Sequence, residues 1–165
     1  MDGQTDMISP KGIAFIKEWE GVILQAYDDV DDRVVKPGER VFGTLSIGVG
    51  HTNAAGPPKV YVGMMITEEE SDAILASDLR SVELQIDHLV KVPLNQNQRD
   101  CLISFEFNTG WLGHPHCSLL TALNSGNYNL ADEDFMLYDR SQGKILKGLQ
   151  RRRLAEKKLF MEPIA

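Results

Sequence analysis

Residues 20–29 read EGVILQAYDD, and residues 46–52 read SIGVGHT. In the first stretch an acid beside a glycine is followed nine residues later by a second acid. In the second, glycines alternate in a strand-like run. A lone Glu on a helix is ordinarily solvated. A Glu followed by Tyr-Asp-Asp and a glycine-studded strand suggests a built cleft, because glycine in a strand leaves backbone that another group can approach closely. Gly48 and Gly50 are the candidates for that approach. Upstream, Ser9-Pro10 is a helix start, with Ser at the N-cap and Pro in the first turn. Ile13, Ile16 and Glu20 then fall on nearly one face, with Trp19 beside them, and Gly21 ends the pattern. Glu20 is therefore expected at the C-terminal end of a first helix. The negative helix end and apolar neighbours both disfavour a carboxylate there, which suits a proton donor.

Residues 22–63 change character. They alternate, are rich in Gly, Val and Thr, and carry turn signals at Lys36-Pro37-Gly38-Glu39 and Ala55-Gly56-Pro57-Pro58. Short antiparallel strands are predicted around 33–35, 40–45 and 47–50. Thr67 and Glu70 then form a capping box. Leu75, Leu79, Val82, Ile86 and Leu89 repeat at helical spacing up to Pro93. A helix of about 24 residues would span about 36 Å, long enough to be a strut between two lobes. Beyond it the chain reads helical: 96–109, opened by an Asn95/Gln98 capping box and stopped near Gly110, then 118–124, 129–138 and 146–160. The fold class is α+β. The expected division is a sheet lobe at about 21–66, a connecting helix at about 67–91, and a helical lobe at about 92–165 joined by helix 9–20.

Composition narrows the function. The chain has 165 residues and a formal net charge of −7. That balance argues against nucleic acid as a partner, since phosphate binding needs a basic face. Seven of the 17 Lys and Arg residues cluster between Lys144 and Lys158, read as a solvated helix face or as an Arg reaching an acidic site. No apolar run reaches the roughly 18 residues of a membrane span. The opening MDGQTDMISPKG shows no basic and apolar signal segment, so synthesis in the cytoplasm is expected, unless a leader has been removed. Cys101 and Cys117 are too few for a disulfide framework. Cys101 lies in CLISFEF and reads as a buried thiol. His114, His116 and Cys117 in HPHC lack a second ligand cluster, so no metal is expected.

The chemistry most compatible with these residues is glycoside hydrolysis, which needs one protonated carboxylic acid and one group to activate water. Glu20 suits the acid. Asp29 suits the ionised partner, although DDVDD by itself reads equally as a solvated turn. The chain has no glycine-flanked serine elbow and no P-loop. The GxG in SIGVGH lacks the third glycine of a dinucleotide site.

EGVILQAYDD followed by SIGVGHT resembles the phage-type lysozymes, the endolysin muramidases of tailed phages. NQNQRDCLISFEFNTG resembles the central helix of that family, CSLLTALNSGNY its next helix and turn, and GKILKGLQRRRLAE its closing segment. The matches run in order from about residue 9 to 160. The resemblance implies a two-lobed lysozyme fold with a cleft between the lobes. It also implies hydrolysis of the β-1,4 bond between N-acetylmuramic acid and N-acetylglucosamine in peptidoglycan, with inversion and no cofactor. By position, Glu20 would be the general acid, and Asp29 would orient the attacking water. Ser46 would stand where the family usually has Thr and hold that water by its hydroxyl. The resemblance makes His51 and Asp78 a structural ion pair, brings Arg152 toward the catalytic Glu, and turns Asn108 toward the sugar; Gly48 and Gly50, read above as approachable backbone, would bind substrate.

Two departures stand out. Asp29 and Ser46 are seventeen residues apart, a longer span than the family keeps. The extra VDDRVVKPGERVFG reads as an elongated hairpin with its turn at Pro37-Gly38, and it makes Asp28, Asp31 and Asp32 possible substitutes for Asp29. The acidic charge would also slow encounter with an anionic wall. The alternatives are a lytic transglycosylase using Glu20 alone, and a glycan-binding module that has lost its chemistry. The expected partner is bacterial peptidoglycan, met as a monomer in the periplasm or cell wall.

Overall fold

The computed structural model describes residues 7–164; residues 1–6, part of the stretch read for a leader, lie outside it. The chain divides into two compact units, residues 16–80 and residues 1–15 with 81–165. The division runs through two helices, α1 (Pro10–Glu20) and α2 (Glu68–Leu89).

The first unit carries a four-stranded antiparallel sheet of order β2-β1-β3-β4, with β1 Ile23–Asp28, β2 Arg33–Val34, β3 Leu45–Gly48 and β4 His51–Thr52. Helix α1 stops because Gly21 takes φ +75° while its N–H still reaches the Lys17 carbonyl at 2.9 Å. That left-handed conformation is cheap only for glycine. Ala26, Ile47 and Val60 form the core, with Leu45, Met64 and Ile66 packed against them. Thr67 and Glu70 make the expected capping box at the start of α2: the Glu70 N–H donates to the Thr67 hydroxyl at 3.1 Å and the Thr67 N–H to the Glu70 carboxylate at 2.8 Å. Lys17 ties α1 to this helix start through Asp72 at 2.6 Å and Glu68 at 3.4 Å.

The strand expectations need correction. Ile23–Asp28 is an inner strand, although the sequence pattern places none there, and 40–43 is loop rather than strand. The insertion is not one elongated hairpin. Strand β1 turns back on itself at 29–32, pairing Tyr27 with Val34 and Asp28 with Arg33. The chain then turns again at Lys36–Glu39 and returns to lay β3 on the other side of β1, Tyr27 opposite Ser46. Side chains decide this. Arg33 donates to Glu39 at 2.8 Å and to the Arg40 carbonyl at 3.1 Å, and Asp28 accepts the Phe42 and Gly43 N–H groups.

In the second unit α3 (Gln96–Thr109) is the central helix, with Asn97 and every residue from Asp100 to Glu106 buried. The Asn95/Gln98 capping box opens it, and Gly110 closes it at φ +60°. Its buried polar groups are partnered: Asp100 accepts the Ser9 N–H at 2.9 Å, Glu106 accepts the Leu112 N–H at 2.7 Å, and Asn97 donates to the Glu162 carbonyl at 2.9 Å. Around it lie α4 (Ser118–Asn124), α5 (Tyr128–Asp134), a 3-10 turn at Phe135–Tyr138 and α6 (Lys147–Met161). Phe105, Phe135 and Phe160 meet edge to face, with centroids 5.4 and 5.5 Å apart along the chain of rings. A two-stranded ribbon, β5 (Arg140–Ser141) and β6 (Lys144–Ile145), has no counterpart in the sequence pattern.

Candidate active site

Glu20 is the last residue of α1 and is exposed. The Gly21 turn leads directly into β1, and Asp29 follows that strand's far end. Strand β3 runs antiparallel beside it, with Ser46 opposite Tyr27 and Gly48 opposite Ile23. Its two ends therefore lie near the Asp29 end and the Glu20 end of β1.

Asp29 and Ser46 each bond to Thr44. The Thr44 N–H donates to Asp29 Oδ1 at 2.7 Å, and the Ser46 hydroxyl donates to the Thr44 carbonyl at 3.3 Å. Asp29 is exposed, whereas Ser46 is buried. The three other acids of this segment have different surroundings. Asp28 is 1% exposed and accepts N–H groups from Phe42 at 2.5 Å, Gly43 at 3.0 Å and Val30 at 3.2 Å. Those donors, that of Phe42 first, hold its carboxyl below the ordinary aspartate value against the upward push of burial. Asp31 accepts the Arg33 N–H at 3.2 Å and lies 3.8 Å from its guanidinium. Asp32 sits in the turn at φ +57°.

The two glycines of SIGVGHT differ. Gly48, φ +66°, lies against its own chain: a side chain there would meet Ser71 Oγ at 3.0 Å and Ile66 Cδ1 at 3.4 Å. Close approach at Gly48 is thus by Ser71 and Ile66. Gly50, φ +69°, has nothing within 4 Å of the corresponding position. His51 is buried, with Nδ1 2.8 Å from Asp78 and Nε2 2.9 Å from the Pro58 carbonyl. A carbonyl can only accept, so Nε2 carries a proton and the ring orientation is fixed. Burial raises the Asp78 carboxyl above its ordinary value, and the His51 contact opposes that shift.

In the helical unit, Arg152 is buried; it donates to the Ser104 carbonyl and hydroxyl at 3.2 Å, and its Nε lies 3.3 Å from Glu156. Arg153 is fully buried, with Nε 2.8 Å from Glu156 and Nη2 donating to Asn108 Oδ1 at 2.7 Å, and it lies over the Phe105 ring. Burial pushes the Glu156 carboxyl up, and the Arg153 and Arg152 guanidiniums pull it back. Asn108 lines a pocket of about 270 Å³ together with Thr109, Trp111, Tyr138 and Arg140. His114 stacks on Trp111 with centroids 3.7 Å apart. Cys101 and Cys117 are buried free thiols, and burial pushes the Cys101 thiol up.

The sequence profile of the family described as phage lysozyme matches residues 17–156. The chain belongs to the phage lysozyme family. It is thus a glycoside hydrolase of the kind that degrades peptidoglycan. It is 40% identical over 154 residues to the endolysin of Salmonella phage P22, covering 93% of this chain and 97% of that one. It is 35% identical over 138 residues to the SAR-endolysin of Escherichia phage Mu, covering 84% and 78%. The fold superposes on a crystal structure of a mutant P22 lysozyme with a TM-score of 0.80 at 39% identity, covering 94% and 99% of the two chains. The muramidase domain of SpmX from Asticaccaulis excentricus gives 0.77 at 33% identity, covering 94% and 98%. The lysozyme-like α+β architecture expected from the sequence is therefore the observed one.

Sequence reasoning misses three residues around these positions, Gly43, Arg153 and Glu156, and does not show the surroundings of Asp28. Asp28 reads in the sequence as a possible substitute for Asp29, and in the structure it is buried and accepts the Phe42 and Gly43 N–H groups. Gly43 gives no signal, because its neighbours are about fifteen residues away in sequence. Arg153 and Glu156 read as part of a charged helix face. Their i, i+3 spacing is the available clue to a pair.

Proposed function

We propose that this lysozyme hydrolyses the β-1,4 bond between N-acetylmuramic acid and N-acetylglucosamine with inversion, at the bacterial cell wall. Glu20 protonates the leaving oxygen. Asp29, with the Ser46 hydroxyl, directs water onto the anomeric carbon from the opposite face of the sugar. An inverting pair must leave room for that water, with carboxyls about 6.5–9.5 Å apart. Oxocarbenium-like charge is stabilised by the Asp29 carboxylate, so the reaction needs no metal or organic cofactor. The observation that carries the assignment is the sorting of the acids at 28–32. Asp29 alone joins exposure to a link through Thr44 with Ser46, whereas Asp28 is buried under backbone donors. Within the helical unit, Asn108, held by Arg153, lines a pocket with Trp111 and Tyr138 whose polar and aromatic surface suits a sugar.

Mass analysis of soluble products from purified peptidoglycan tests this reading. Hydrolysis leaves reducing, hydrated N-acetylmuramic acid ends, and inversion makes the α-anomer appear first in a proton NMR time course. Anhydro ends would replace the hydrolase by a lytic transglycosylase. Binding to intact wall with no products would leave a glycan-binding module.

A further inference from the structure

We propose that Gly43 is a positioning residue for Asp29: the space left by its missing side chain is the space in which the Asp29 carboxylate stands. This inference rests on the assignment of Asp29 as the water-directing carboxylate. Gly43 closes the insertion at the foot of the sheet. Its N–H donates to Asp28 Oδ1 at 3.0 Å, and the next N–H, that of Thr44, donates to Asp29 Oδ1 at 2.7 Å. A Cβ on Gly43 would lie 2.2 Å from Asp29 Oδ1, 2.5 Å from Val30 Cγ2 and 2.9 Å from Asp28 Oδ1. All three are inside van der Waals contact, and the first is the shortest such approach of any glycine described. Gly43 does not take a positive φ, unlike Gly38, Gly48 and Gly50 in the same unit. Glycine here therefore serves space and not backbone conformation.

The three neighbours respond differently to an added methyl group. Asp28 is buried and pinned by three N–H donors, so it cannot swing. Val30 is 68% exposed and can turn into solvent. Asp29 is exposed and held at Oδ1 by the Thr44 N–H, so it can rotate away at the loss of that bond. The methyl of Gly43→Ala thus displaces the carboxylate from Thr44 and from the neighbourhood of Ser46 while the sheet stays intact. The insertion that separates Asp29 from Ser46 by seventeen residues thus returns past the carboxylate at a residue small enough to leave it room.

The test measures kcat and KM on solubilised peptidoglycan for Gly43→Ala, Asp29→Asn and the double variant, with hydrogen exchange at the Thr44 amide. Gly43→Ala is expected to lower kcat at least tenfold with KM within twofold, and to speed Thr44 exchange. It is expected to lower kcat less than twofold further in the Asp29→Asn background, because coupled residues are not additive. Val30→Ala with Gly43→Ala relieves the Val30 overlap and guards against misfolding; it should keep the loss of kcat. Recovery of kcat in that variant, unchanged kcat in Gly43→Ala, or equal losses in both backgrounds would overturn the proposal. Full turnover in Asp29→Asn would instead remove the role of Asp29 itself, and Thr44 exchange would still report whether Gly43 sets the carboxylate.

Discussion

At the scale of single residues, the site depends on where each carboxylate stands. Glu20 ends a helix and is exposed; Asp28, one residue before Asp29, is buried beneath backbone donors. Glu20→Gln keeps the shape and removes the proton, so kcat should fall by about 10²–10⁴-fold, the usual contribution of a general acid, with an unchanged thermal midpoint. Near-normal turnover in this variant would show that the proton comes from elsewhere. Asp28 gives a pH dependence with a definite sign. Its folded carboxyl lies below the ordinary value of 3.8, so its contribution to stability is present above that value and is lost as pH falls through the lower, folded one. Protection of the Phe42 and Gly43 amides should therefore drop between about pH 4 and the acid limit of the fold, and Asp28→Asn should flatten that drop. Protection that is independent of pH in this window would mean that the donors are held by something other than the carboxylate.

At the scale of elements, the buried charges of α6 hold it to α3. Glu156 receives Arg152, Arg153 and the Ser104 hydroxyl, all within the helical unit. Charges this deep are weak evidence for net stability, but removing one partner strands the others. Glu156→Ala leaves two buried guanidiniums short of their shared carboxylate and should cost about 3–5 kcal/mol in urea unfolding. A cost below about 1 kcal/mol would place those guanidiniums in contact with water. The insertion shows the same logic in a loop. Arg33, Glu39 and Asp28 bind it at three points, so its length does not leave β1 loose.

At the scale of the whole molecule, net charge predicts how encounter with the wall responds to salt. The chain carries a formal charge of −7 and its proposed substrate is anionic. Long-range repulsion is screened as the Debye length falls from about 30 Å at 0.01 M salt to about 10 Å at 0.1 M. The initial rate of wall digestion should therefore rise over that range, measured as turbidity loss of purified wall. A falling rate would mean that a local basic surface, such as the Lys144–Lys158 segment, makes the encounter. Among the described residues no helix is long and apolar enough to cross a membrane.

The helices are legible because their signals are local. The Asn95/Gln98 and Thr67/Glu70 capping boxes, the Gly21 and Gly110 stops and the spacing of Leu75, Leu79 and Ile86 each act within a turn or two. Glu20 and Asp29 are legible as two acids nine residues apart, whereas Ser46 is proposed only through the family resemblance, because its distance from Asp29 departs from the family's. The sheet is less so. Which of 23–28 and 40–45 forms a strand depends on partners far along the chain, and on Asp28 drawing Phe42 and Gly43 to itself. A sequence names the acids at 28, 29, 31 and 32, but burial and hydrogen bonding distinguish them, and both exist only once the chain has folded back. The sequence alone determined the helices, the fold class and the candidate acid. The tertiary structure alone decided which neighbouring aspartate anchors the loop, which stays exposed, and why a glycine stands between them and the strand, because these follow from contacts that no local signal encodes.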